Sequence, residues 1–242
     1  IMESLITDYL AKLVDPLINP QKRVFIGYLL ASIIVAIVLS YILFGAKIRI
    51  TLSALFARRI WWSKSARADY LIAAINQAFM MGVMHRFVSK LVVATILFEA
   101  MHVWFDGRPE ILPEASQLVI GGLFTFTLFI FDDAAKYAVH RALHQVPLLW
   151  CFHRVHHTAE TLTPFTVYRT HPVEGVIFAL RAVFVQGIAI AIFFFCFGDR
   201  AELLTILGAN FLVFLFNITG ANLRHSHVWI SYGHLVECIL IS

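Results

Sequence analysis

An all-α, polytopic membrane helical bundle with a histidine-rich metal site on its cytoplasmic face is the fold class this sequence predicts. Three observations carry that reading. Hydrophobic residues make up 60% of the chain and charged residues 14%, with a mean hydropathy of +0.80. A soluble domain carries about 25% charged residues, so the bilayer is the expected solvent. The first long apolar run, residues 24–44, has 21 residues and no charge. At about 1.5 Å per residue it is long enough for a hydrocarbon core of roughly 30 Å. The third observation is a crowd of histidines, to which the apolar segments lead.

Five crossings follow from the hydropathy pattern, at about residues 24–44, 87–105, 117–131, 173–197 and 203–219. Asp199, Arg200 and Glu202 mark a tight turn that would pair the last two as a hairpin. The stretch 70–84 is apolar but short, and belongs to a basic interfacial region at 46–85. Residues 1–114 form an N-terminal set of membrane segments. Residues 115–242 form a second unit that holds the histidines.

Charge sets the orientation. Lys47, Arg49, Arg58, Arg59, Lys64 and Arg67 follow the first crossing, and Arg141, Arg154, Arg169 and Arg224 lie beside the histidines. The connection 106–114 is acidic, with Asp106, Glu110 and Glu114 against Arg108. Lys and Arg mark the cytoplasmic side, so the histidines are expected there, in a bacterial inner membrane or a eukaryotic endoplasmic reticulum. Such a chain has little wet basic surface for nucleic acid. Cys151, Cys196 and Cys238 form no CxxC pair and read as small buried residues.

Spread evenly, the eleven histidines would put fewer than one in any 18-residue window, yet residues 140–157 hold five. His140 and His144 are one helical turn apart and share a face. His153, His156 and His157 repeat that spacing, with Pro147 between the groups to end the first helix and fold the second back. His171, at the mouth of the fourth crossing, and His225, after the fifth, bring the candidates to seven. Imidazole suits Zn, Cu, Fe and Ni. One zinc takes three or four ligands, so seven candidates imply two ions. Two irons would bind O2 and break an unactivated C–H bond; zinc is a possible substitute. A histidine-rich metal or haem carrier or transporter, and a zinc-dependent membrane hydrolase, are the alternatives. Asp133 and Tyr137 lie seven and three residues before His140, on its face, where a carboxylate or phenol can orient an imidazole. His85, His102 and His234 stand alone and read as structural. Arg181, inside the fourth crossing, is expected to snorkel, pair with Glu174 or meet a lipid headgroup.

The run D-A-A-K-Y-A-V-H-R-A-L-H at 133–144 resembles the first histidine box of the fatty acid hydroxylase superfamily, which includes sterol desaturases, sterol methyl oxidases and alkylglycerol monooxygenase. W-C-F-H-R-V-H-H-T at 150–158 is similar to its second box. R-T-H-P-V-E at 169–174 and N-L-R-H-S-H at 222–227 resemble bacterial sterol-desaturase-like members. The resemblance implies an O2-dependent di-iron oxidoreductase that hydroxylates or desaturates a lipid, whether fatty acyl, sterol or a related alkyl chain. Its electrons would come from a separate reductase, ferredoxin or cytochrome. The superfamily closes with an H-x2-H-H box, which is expected just after Ser242 in a longer polypeptide.

Overall fold

The computed structural model describes residues 2–83, 89–107, 109, 111–206 and 209–218. Among these, the helices run in the order α1 (Met2–Ile18), α2 (Ile26–Phe44), α3 (Ile48–Leu55), α4 (Arg58–Trp61), α5 (Lys64–Val83), α6 (Lys90–Phe105), α7 (Gln117–Gln145), α8 (Pro147–His153), α9 (Pro172–Phe197) and α10 (Phe211–Ile218). The one departure from an all-α chain is a two-residue antiparallel ladder, β1 (Thr205–Ile206) with β2 (Ala209–Asn210). Among the described residues, three helical stretches are long and apolar enough to cross a membrane: Ile26–Phe44, Gln117–Gln145 and Pro172–Arg200.

Helix α7 is the axis of the molecule. Ser116 caps it by accepting from the Val119 N–H. It stops at Gln145 because Val146 precedes Pro147 and is driven out of the helical region, to φ −91°, ψ 116°. With 29 residues it outlasts the 117–131 crossing expected from hydropathy and carries His140 and His144 on the same rod. Phe124 of α7 stacks on Phe193 of α9 with ring centroids 4.7 Å apart, and Ala189 and Ala201 complete the buried cluster.

Two expected crossings differ in the structure. The second, 87–105, is represented by α6, whose 16 residues rise about 24 Å, less than the roughly 30 Å of a hydrocarbon core. It packs closely along α9, and Gly187 makes the approach possible, because a Cβ there would lie 2.8 Å from the Val93 Cβ. The fifth, 203–219, is not one helix. The Leu204 N–H bonds the Thr125 hydroxyl of α7, and the Asn210 amide bonds the Thr125 carbonyl. Asn210 Oδ1 also accepts from the Leu212 and Val213 N–H groups, so α10 starts only at Phe211. That helix packs on α2, where Phe214 meets Tyr28 edge-on, and on α7.

Helix α5 covers the short apolar stretch and is packed in protein, against α1, α9 and the 3-10 segment Pro164–Tyr168. Hydropathy did not mark α1 as an element. It lays Tyr9 on α5, donating to the Ala74 carbonyl at 2.9 Å, and leaves Leu5, Leu10, Val14 and Ile18 exposed.

Candidate metal centre

The first two imidazoles come from the last turns of α7. His140 and His144 are four residues apart, and their Nε2 atoms approach to 3.2 Å. Pro147 opens α8, which brings His153 back over them: its Nε2 is 3.2 Å from that of His144, and its ring centroid is 4.7 Å from that of His140. His157 then places its Nε2 3.2 Å from that of His153. The second box is not the single helical face its spacing suggested. Helix α8 ends at His153, and His156–Thr158 form a separate 3-10 turn. The bend swings His157 toward the cluster and turns His156 the other way, its Nδ1 lying 3.3 Å from the Arg169 carbonyl. That contact fits an Nδ1–H donor and leaves the lone pair on Nε2.

Ligand atoms of His140, His144 and His153 lie within 4.8 Å of one another, a group able to hold a metal ion. The spacing tests the fit. Metal–imidazole bonds of about 2.0–2.1 Å put neighbouring donors roughly 2.9–3.4 Å apart in octahedral or tetrahedral geometry. The 3.2 Å separations fall in that range. Protonation agrees. Burial, reinforced by the imidazoles of His140, His144 and His157, pushes His153 down to about 4. Burial also lowers His156 and His157. At neutral pH these rings are uncharged and keep the lone pair a metal needs.

A carboxylate backs the cluster. Glu174, 3% exposed in the first turn of α9, sets Oε1 3.2 Å from Nδ1 of His153, without the alignment of a hydrogen bond. Its Oε2 has no partner among the described residues. A histidine bound through Nε2 carries its proton on Nδ1, and Glu174 is the acceptor beside it. The sequence reading assigned that role to Asp133 and Tyr137. The Tyr137 hydroxyl accepts from Arg141 at 2.8 Å, and Asp133 is half-buried on α7. Arg181 pairs with Asp132 at 2.7 Å and leaves Glu174 to the histidine.

A buried polar strap holds the second box. Arg169, 4% exposed, binds the Asp69 carboxylate of α5 through Nε, and the Ser65 carbonyl through Nη2 at 2.7 Å. Its Nη1 reaches the Thr158 hydroxyl at 3.3 Å. Thr166 donates to the other Asp69 oxygen at 2.7 Å. The strap thus ties α5 to both ends of the 156–169 loop. His171 caps α9, its Nδ1 accepting from the Val173 N–H, with its ring on Phe152; it is not among the three gathered ligands. His102 bonds the Phe98 carbonyl and packs on Phe195, and Cys151 is exposed rather than buried. His85, His225, His227 and His234 lie outside the described residues.

Residues 125–241 match the family model described as fatty acid hydroxylase. The chain carries a fatty acid hydroxylase domain. No curated protein and no solved structure matches it. The histidines of α7, α8 and the 3-10 turn all lie inside the hydroxylase domain, as do Arg169 and Glu174. The family is one of lipid-modifying oxidoreductases that typically depend on metal. Two of the residues that sequence reasoning missed, Arg169 and Glu174, stand in the R-T-H-P-V-E run and were open to notice there. Asp69 and Ser65 fall before the matched segment, in a helix without any motif, and only packing reveals them.

Proposed function

We propose that the histidine centre holds two irons and that the chain is an O2-dependent hydroxylase or desaturase of a membrane lipid. The observation that supports this most directly is the set of four imidazoles joined through Nε2 contacts of 3.2 Å, with a fifth, His156, beside them. That is more nitrogen than one zinc needs. His140, His144, His153, His156 and His157 are the proposed ligands, and His171 and His225 complete the candidate set. Iron bound there would supply the O2 activation that amino-acid side chains cannot perform. Hydroxylation inserts one oxygen atom of O2 into a C–H bond. The other leaves as water, with two electrons from a separate reductase, ferredoxin or cytochrome and two protons from solvent.

The chain's own residues orient and shelter the centre. Glu174 Oε1 lies 3.2 Å from the His153 Nδ1 and is the acceptor placed to take its proton when a metal engages Nε2. The Arg169 carbonyl does the same for His156. Asp133, on the His140 face of α7, is proposed as a further orienting carboxylate. The Lys/Arg bias supports a cytoplasmic site, and the Asp69–Arg169 pair joins the first basic region to the histidine loop. The test is purification after iron loading, with elemental analysis, and O2-dependent mass shifts in co-purified lipid. Two irons per chain and a gain of one oxygen, or a loss of two hydrogens, is the expected result. One zinc and no O2 consumption would overturn the reading.

A further inference from the structure

A cavity of about 940 Å³ lies between α2 and the α3–α4 return, closed at one side by residues 161–164. Its wall is mostly apolar, with Leu29, Ile33, Phe44 and Leu162 representative, and Ser40, Thr51, Thr161 and Thr163 add hydroxyls. Its volume is near the top of the roughly 300–1,000 Å³ usual for ligand sites. Apart from residues 161–164, every residue that lines it lies before the matched hydroxylase segment.

Two of its polar residues, Arg59 and Ser32, mark it as more than a lipid-facing groove. Arg59 lines the cavity, is exposed, and has no hydrogen bond or ion pair among the described residues. Ser32 also lines it, is 5% exposed in the middle of an apolar helix, and its Oγ has no partner among the described residues. An unpaired guanidinium beside an apolar wall is complementary to an anion carrying a hydrocarbon tail. The cavity also abuts the histidine loop 156–169. Residues 161–164 follow the His156–Thr158 turn, and Trp61, which also lines the cavity, meets Phe165 edge-on.

We propose that this cavity binds a single-chain anionic lipid, with the carboxylate or phosphate of its headgroup on Arg59 and its alkyl chain along α2. The site goes beyond the di-iron reading and needs neither metal nor turnover. The test uses the whole protein in phosphatidylcholine nanodiscs, with photoreactive stearate, photoreactive lysophosphatidate and photoreactive methyl stearate, and labelled residues mapped by mass spectrometry. At least one of the two acids should label α2, α3 and residues 161–164, at about ten times the yield of the methyl ester. Arg59→Glu should bring that acid down to the ester's yield, and Arg59→Lys should restore most of it. Ile33→Trp should remove label from the cavity without altering the thermal midpoint. Equal labelling by acid and ester, or label spread evenly over the lipid-facing helices, would mean annular lipid only and would overturn the proposal. Because metal content and O2 consumption are not read, a negative result leaves the di-iron reading intact.

Discussion

At the scale of single residues, the centre depends on imidazoles kept neutral and aimed. His144 stands between His140 and His153, with its Nε2 3.2 Å from each of theirs. His144→Ala should therefore lower bound metal well below that of the native protein while the chain remains inserted; unchanged metal content by elemental analysis would count against the cluster. Glu174 acts one step further out. Glu174→Gln replaces the acceptor beside the His153 Nδ1, a carboxyl that burial raises to about 7, with a neutral amide, and metal affinity should fall about 10–100-fold, read from competition with a chelator. The pH dependence follows from burial. His153 has a folded pKa of about 4, against roughly 6.5 in an unfolded chain. Between those values the unfolded state binds more protons, so stability rises with pH. Glu174 works the other way, because burial raises its carboxyl from 4.5 to about 7 and the folded state then holds the extra proton across that range. Metal-free Glu174→Gln, which lacks that carboxyl, should therefore lose thermal stability as pH falls from about 6.5 toward 4, and a flat midpoint across that window would refute the assignment.

Between elements, the couplings are few and specific. The Asp69–Arg169 pair is buried on both sides, with side chains 0% and 4% exposed. Removing one partner of such a pair leaves a buried charge uncompensated and costs about 3–5 kcal/mol. Asp69→Ala should thus loosen α5 from the 156–169 loop, lowering the unfolding midpoint and raising hydrogen exchange at residues 156–169 more than in α7. The α6–α9 crossing is steric. Because a Cβ at Gly187 would overlap Val93 and crowd the Lys90 carbonyl, Gly187→Val should destabilise that pair; an unshifted midpoint would show the two helices less closely packed than described. Asp132 and Arg181 link α7 to α9 by charge, so the two long helices meet through an aromatic stack at one level and an ion pair at another.

For the molecule as a whole, sidedness is the property that matters most to a lipid enzyme. Arg169 and Asp69 bring the region after the first basic cluster into the histidine loop, while Glu114 lies just before the start of α7, 29 residues long, which ends at that loop. In a cysteine-free background, cysteine at Glu160 should react only from the cytoplasmic side and cysteine at Glu114 only from the other. Equal reactivity from one side would mean that α7 does not cross.

Composition and spacing were enough to establish a membrane helical chain, the two histidine boxes and the break between them at Pro147. Those features are local: hydropathy is a property of each segment, and i, i+4 spacing follows from helical pitch wherever a helix forms. Which polar groups meet across the fold was decided only in three dimensions. Arg181 chose Asp132, and Glu174 went to His153. Arg169 was taken by Asp69, a hundred residues earlier in the chain. No periodicity encodes such pairings, because each depends on which helix faces pack together. The same is true of the 203–219 segment. Its residues are apolar enough for a crossing, yet Thr125 and Asn210 claim backbone N–H groups of the segment and α10 begins only at Phe211. Burial requires every polar backbone group to find a partner, and only the tertiary structure shows which partner is within reach.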